Sequence, residues 1–225
     1  MEFVQTWRSP SEINAAMTRV YGHMSLAVLT SMIVSFAVSS SPELMAFFFT
    51  GAMKWLVMFA PLIGIIALSF GLDRLTLRQA QFALHGFAAL MGLSFATIFV
   101  VFTMGSIVSA FMSAAVLFAV MTFYGYFTKR SLESLGQFMF IGLIAIIIAS
   151  IINIFVGSTL AQMVISALAI VIFLGLTAWD TQRIREMVSV GDSDGRIEVS
   201  GALSLYLNFI NIFLNLLQLF GNRSE

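Results

Sequence analysis

Apolar residues run through this chain in long blocks broken by short polar stretches, without the strict alternation of a half-buried strand. Seven blocks stand out, at residues 20–38, 53–72, 82–103, 106–127, 135–155, 160–179 and 201–220. At ~1.5 Å per residue each is close to the length a helix needs to cross a hydrocarbon core of ~30 Å. The last block, GALSLYLNFINIFLNLLQLF, carries no charge, yet it is not uniformly apolar. Ser204, Asn208, Asn211, Asn215 and Gln218 are spaced four, three, four and three, which puts them on one helical face. Hydrocarbon offers amides and hydroxyls no hydrogen-bond partner. This face is therefore expected to meet protein or a water-filled cavity, with the last helix interior and the others packed around it.

The connections complete the picture. Those at 104–105 and 156–159 are tight, whereas 39–52 and 180–200 are the longest. The stretch SSSPELMAFFFTGA (39–52) is apolar enough to lie in the membrane interface or to extend the second helix. Residues 1–19 form a short arm in which Ser9-Pro10-Ser11-Glu12 marks a helix start. No internal repeat or linker divides residues 20–225, which read as one seven-helix domain behind that arm.

Positive charge sets an expected orientation. Arg8, Arg19, Arg74, Arg78, Lys129, Arg130, Arg183, Arg185 and Arg196 fall on the side of the arm, and only Lys54 and Arg223 on the other. Nine against two predicts a cytoplasmic N-terminus and an external C-terminus. A six-span count would scatter the arginines over both sides, so seven is the expected number.

Composition agrees and excludes several classes. Of 225 residues 60% are hydrophobic and 10% charged, with mean hydropathy +0.99, against about 25% charged in soluble domains. Long apolar runs point to spanning helices and not to barrel strands. With no cysteine there is no disulfide or thiolate chemistry. The first apolar run has no small-residue cleavage pattern, so no secretory signal is expected. A retinal protein needs a lysine in its last helix, and the lysines are Lys54 and Lys129. An intramembrane aspartyl protease needs two membrane aspartates where only Asp180 is present, and neither His23 nor His85 sits in a nucleophile motif. An enzyme is not expected, nor a cofactor, a tight metal site or a nucleic-acid partner. The bilayer is an expected partner. Gly86, Gly92 and Gly142 within spans suit close helix packing in lipid.

The ionisable groups at or within the spans are His23, His85 and Asp180, with Lys54 able to snorkel. The histidines read as hydrogen-bonded packing residues. Asp180 fits two readings. It is either a solvated carboxylate beside Arg183 at a helix boundary, or one held by Asn208, about two turns into the neighbouring antiparallel helix. Asp192, Asp194 and Glu198 crowd the loop GDSDGRIE, which lacks EF-hand spacing and reads as a solvated turn.

Several segments resemble the Bax inhibitor/TMBIM family of membrane proteins: MTRVYGHMSLAVL (17–29), AALMGLSFATIF (88–99), YFTKRSLESLGQFMFIGLIAIIIASIINIF (126–155), FLGLTAWDTQRIREM (173–187) and GALSLYLNFINIFLNLLQLFG (201–221). The resemblance covers essentially the whole chain. It implies seven helices, two groups of three around the seventh. It also implies a pH-dependent calcium leak in which aspartates of helices six and seven share a proton whose loss opens the pore. The first aspartate maps onto Asp180. The second belongs to a YLDFIN-like motif that reads YLNFIN here, so it maps onto Asn208. Without a second carboxylate the shared-proton latch is expected to be weakened, shifted toward acid or held shut. A basic residue near the end of helix two supports the pair in this family, and Arg74 or Arg78 is the candidate, although the matching position falls nearest Gly71.

Calcium prefers six to eight oxygen ligands. Asp180 with the amides of Asn208, Asn211 and Asn215 offers a transient passage site, with Ser204 and Gln218 as further pore-lining groups. The alternative is a regulator: some bacterial members of the family are thought to restrain the membrane protease FtsH. The arm 1–19 and the helices would then contact that protease or another membrane complex, and removal of residues 1–12 would abolish activity. The short arm and absence of elaborated tails point to a bacterial inner membrane.

Overall fold

The computed structural model describes residues 8–71, 74–190 and 195–224. Among these are nine helices: α1 (Pro10–Ser39), α2 (Pro42–Phe49), α3 (Met53–Gly71), α4 (Leu77–Phe95), α5 (Ile98–Val101), α6 (Met104–Phe127), α7 (Glu133–Val156), α8 (Thr159–Val190) and α9 (Arg196–Phe220). Six helical stretches are long and apolar enough to cross a membrane, taking α4 with α5 as one. A seventh is reached only if α2 and α3, bent by 77° at their break, are counted together. The exposed large apolar side chains, such as Phe138, Ile154, Phe155 and Leu160, require lipid around them. The protein is an integral membrane protein built almost wholly of helices.

The helix starts follow local chemistry. Ser9 caps α1, with Pro10 at its first position and Glu12 accepting from the Ser9 backbone N–H at 2.7 Å. The helix runs unbroken from Pro10, so residues 10–19 of the expected arm are its first turns, and residues 1–7 lie outside the described part. Thr76 and Gln79 cap α4 reciprocally. Ser41 and Pro42 start α2 in the stretch that the sequence left between interface and helix extension. The α7–α8 turn is as tight as expected. Gly157 takes the left-handed conformation (φ +68°), and Asn153 brackets Ser158 through both its amide atoms.

The segment expected as a long connection at 180–200 differs. Helix α8 continues to Val190 and α9 begins at Arg196. TQRIREMVSV holds no Gly or Pro and is rich in helix formers, so loss of hydrophobicity ends the apolar run without ending the helix. Asp192 and Asp194 lie outside the described residues.

The chain divides into two compact units. Unit 1 comprises residues 1–103, 187–206 and 224–225; unit 2 comprises 104–186 and 207–223. In unit 1, α4 packs on α1 at Gly92, where a Cβ would fall 2.5 Å from the Ser31 carbonyl oxygen, and Ser94 Oγ donates to Val57 of α3. Gly86, by contrast, faces open space. In unit 2, α6 meets α8 backbone to backbone at Gly125, where a Cβ would stand 2.2 Å from the Ala178 oxygen. Gly136 lies under the Trp179 indole, and Gly142 receives Ile172. Helix α9 is the most buried candidate span, with 56% of its apolar window buried against 28% or less in the others.

Candidate functional site

Unit 2 brings Asp180 and Asn208 together. Helix α8 carries Asp180, and its position is fixed from two sides. The Gly125–Ala178 contact sets α8 against α6, and Trp179, seated on Gly136 of α7, donates its Nε1–H to Glu133 at 3.3 Å. Helix α9 carries Asn208, whose neighbour Phe209 is held edge-on by Phe111 and Phe118 at 5.4 and 5.7 Å between ring centres. Within this frame Asn208 Nδ2 donates to Asp180 Oδ2 at 2.7 Å. A donor this close to a carboxylate makes a charge-assisted bond, stronger than one between neutral groups. Asn208 is only 5% exposed and Asp180 half-buried. The guanidinium of Arg183 lies over the Trp179 ring at 5.2 Å.

The polar stripe of α9 continues from this pair. Asn211 and Asn215 are half-buried, and Gln218 is exposed. Asn211 Nδ2 donates to the Leu207 carbonyl and Asn215 Nδ2 to the Asn211 carbonyl, both at 2.8 Å. Only an amide NH₂ can face a carbonyl favourably, so each side-chain oxygen is turned away from its own backbone. The stripe therefore offers acceptors to whatever it meets. Ser204, also half-buried, belongs to unit 1. Arg74 and Arg78 are exposed residues of unit 1, at the entry and first turn of α4, whereas Asp180 and Asn208 are in unit 2. No group of three or more His, Asp or Glu gathers as a ligand set among the described residues.

Three polar arrangements were invisible to local reading. Glu198, expected in a solvated turn, sits in the first turn of α9 at 6% exposure, and Arg19 grips it with Nε and Nη2, both at 2.7 Å. The partners are 179 positions apart, beyond the reach of any spacing argument. The fully buried Tyr206 shares a 2.7 Å hydroxyl bond with Ser31, whose Oγ also lies 2.7 Å from the Ala88 carbonyl. Gln182 straddles the α6–α7 connection, accepting from Leu132 N–H at 2.8 Å and donating to the Arg130 carbonyl at 2.9 Å. The histidines sit beside polar side chains, His85 Nδ1 at 3.4 Å from Thr30 Oγ1 and His23 Nε2 at 3.5 Å from Gln81.

A family model described as "Inhibitor of apoptosis-promoting Bax1" matches residues 13–225. The inner membrane protein YbhL of Escherichia coli (strain K12) is 35% identical over 213 residues, covering 92% of this chain and 91% of its own. An uncharacterized protein of Borreliella burgdorferi is 36% identical over 215 residues, 93% of each chain. Protein RP147 of Rickettsia prowazekii, also uncharacterized, is 35% identical over 212 residues, 93% of this chain and 90% of its own. Matched over nearly its whole length, the chain belongs to the Bax inhibitor family of membrane proteins.

Proposed function

We propose that this protein is a cation leak of the Bax inhibitor family, with calcium as a permeant ion, whose closed state is held by the Asp180–Asn208 bond. The observation that carries this reading is the 2.7 Å contact between the two helices at the head of a stripe of amide oxygens. Amide and carboxylate oxygens suit a hard cation in passage, and one carboxylate is too few for tight binding. A pair of aspartates here would share a proton and part when it leaves. An asparagine amide has no such proton to lose and donates across the whole physiological pH range. The latch is thus biased shut and its response to pH weakened. The reading needs no catalytic group, no cofactor and no nucleic acid.

The topology that fits best has seven crossings. Helix α3, with 19 residues, covers about 28 Å at ~1.5 Å per residue, and α2, joined to it across the 77° bend, completes the seventh crossing. The cation asymmetry supports a cytoplasmic N-terminus and an external C-terminus. The printed name of the Escherichia coli relative supports a bacterial inner membrane.

A second reading, regulation of a membrane protease such as FtsH or of another membrane complex, is favoured by the asparagine, since a leak held shut conducts little. Calcium uptake by proteoliposomes separates the two. Uptake above protein-free vesicles supports the leak. Silence of both the native chain and Asn208→Asp leaves regulation.

A further inference from the structure

We propose that the α6–α7 end of unit 2 is a binding site for an anionic phospholipid headgroup, distinct from the Asp180–Asn208 pair. The cations there are presented by a rigid frame. Gln182 pins the connection carrying Lys129 and Arg130 through two backbone hydrogen bonds of 2.8 and 2.9 Å. From α8, Arg185 spends one donor on the Tyr126 carbonyl at 3.1 Å and lies over the Tyr126 ring at 4.9 Å, while Arg183 rests on Trp179 at 5.2 Å. All four cations are exposed. Two carboxylates are exposed beside them, Glu133 and Glu186. Glu133 is engaged by the Trp179 and Gln137 side chains.

A guanidinium has five N–H donors in a fixed fork, and stacking on an aromatic ring orients that fork while leaving most of its donors for an anion. A phosphate diester matches it. The surface beside these cations points to lipid as the source of that phosphate. Along one face of α6, Val108, Met112, Val116, Val120, Phe123 and Phe127 are each 54–65% exposed, at intervals of four, four, four, three and four. This apolar stripe covers about 29 Å at ~1.5 Å per residue and ends at Lys129 and Arg130. An acyl chain lying along it brings its own headgroup to the cations, which a free anion or a soluble polyanion does not do. Clustered basic residues at the end of a spanning helix attract anionic lipid in this way.

The test is native mass spectrometry of the full chain released from nanodiscs of equal phosphatidylglycerol and phosphatidylcholine. The native chain should retain phosphatidylglycerol selectively. Each cation near the surface contributes about five-fold in affinity, so Lys129→Gln, Arg130→Gln and Arg183→Gln together should lower that retention on the order of a hundred-fold. The companion Arg130→Lys with Arg183→Lys keeps the charge but loses the guanidinium fork, so its retention should fall between those of the native chain and the glutamine variant. The melting temperature of the glutamine variant, measured alongside, shows that it is folded. Equal retention of both lipids by the native chain would overturn the proposal, as would undiminished selectivity in a folded glutamine variant. Displacement of the lipid by inorganic phosphate at matching concentration would overturn it too, by showing a small-anion site.

Discussion

Arg19 and Glu198 form a two-pronged ion pair, with both N–H···O distances at 2.7 Å, joining α1 to the first turn of α9 within unit 1. The Glu198 side chain is 8% exposed and the Arg19 side chain 54%. Removing the cation strands a buried negative charge, whereas removing the anion leaves an arginine that water can solvate. Arg19→Ala should therefore destabilise more than Glu198→Ala, by about 1–3 kcal/mol against about 1 kcal/mol or less once the exposed partner is discounted for screening. Thermal unfolding in detergent, run as a double-mutant cycle, checks this. Equal effects with no coupling would show the pair to be idle.

Helix contacts give a second prediction. A methyl at position 125 would stand 2.2 Å from the Ala178 oxygen, with backbone on both sides and nothing flexible to yield, while position 86 is open. Gly125→Ala should lower stability by about 1–3 kcal/mol through overpacking. Gly86→Ala should be neutral or stabilising by up to about 1 kcal/mol, because alanine is the better helix former. The pair of melting curves should move in opposite directions, or the second not at all.

The two readings of function diverge at the N-terminus. Removal of residues 1–7 keeps the Ser9 cap and the backbone bond from Arg8 N–H to the Ser189 carbonyl. A leak should conduct as before, within about two-fold. A regulator whose partner grips that segment should lose its effect on the partner while its own melting temperature stays put.

How far the sequence went differs from residue to residue. The face carrying Asn208, Asn211 and Asn215 was legible because helical spacing is a local property. The approach of Asp180 to Asn208 was within reach because their helices are consecutive and antiparallel. The ion pair of Arg19 with Glu198 was not: Glu198 read as part of a solvated turn and Arg19 as the end of the N-terminal arm, and only folding brings them together. Gln182 was hidden for a similar reason, since a glutamine that substitutes for backbone partners has no motif. The polar end of α8 was misread as a loop because hydropathy, and not helix propensity, marked the boundary. The break between α2 and α3 falls at Thr50-Gly51-Ala52, where Gly51 takes the left-handed conformation (φ +58°); a break there was legible, but nothing in the pattern records its 77° angle.

Position 208 itself carries the central claim. Calcium flux into proteoliposomes should be compared from pH 5 to pH 8 for the native chain, Asn208→Asp and Asp180→Asn. The account predicts low, nearly pH-independent flux for the native protein. For Asn208→Asp it predicts several-fold greater flux at pH 8 than at pH 5, because alkaline solution removes the proton that two facing carboxylates share. Asp180→Asn, lacking the carboxylate that grips the Asn208 amide, should conduct without a pH response. A native chain with a steep pH response that Asn208→Asp leaves unchanged would contradict the latch.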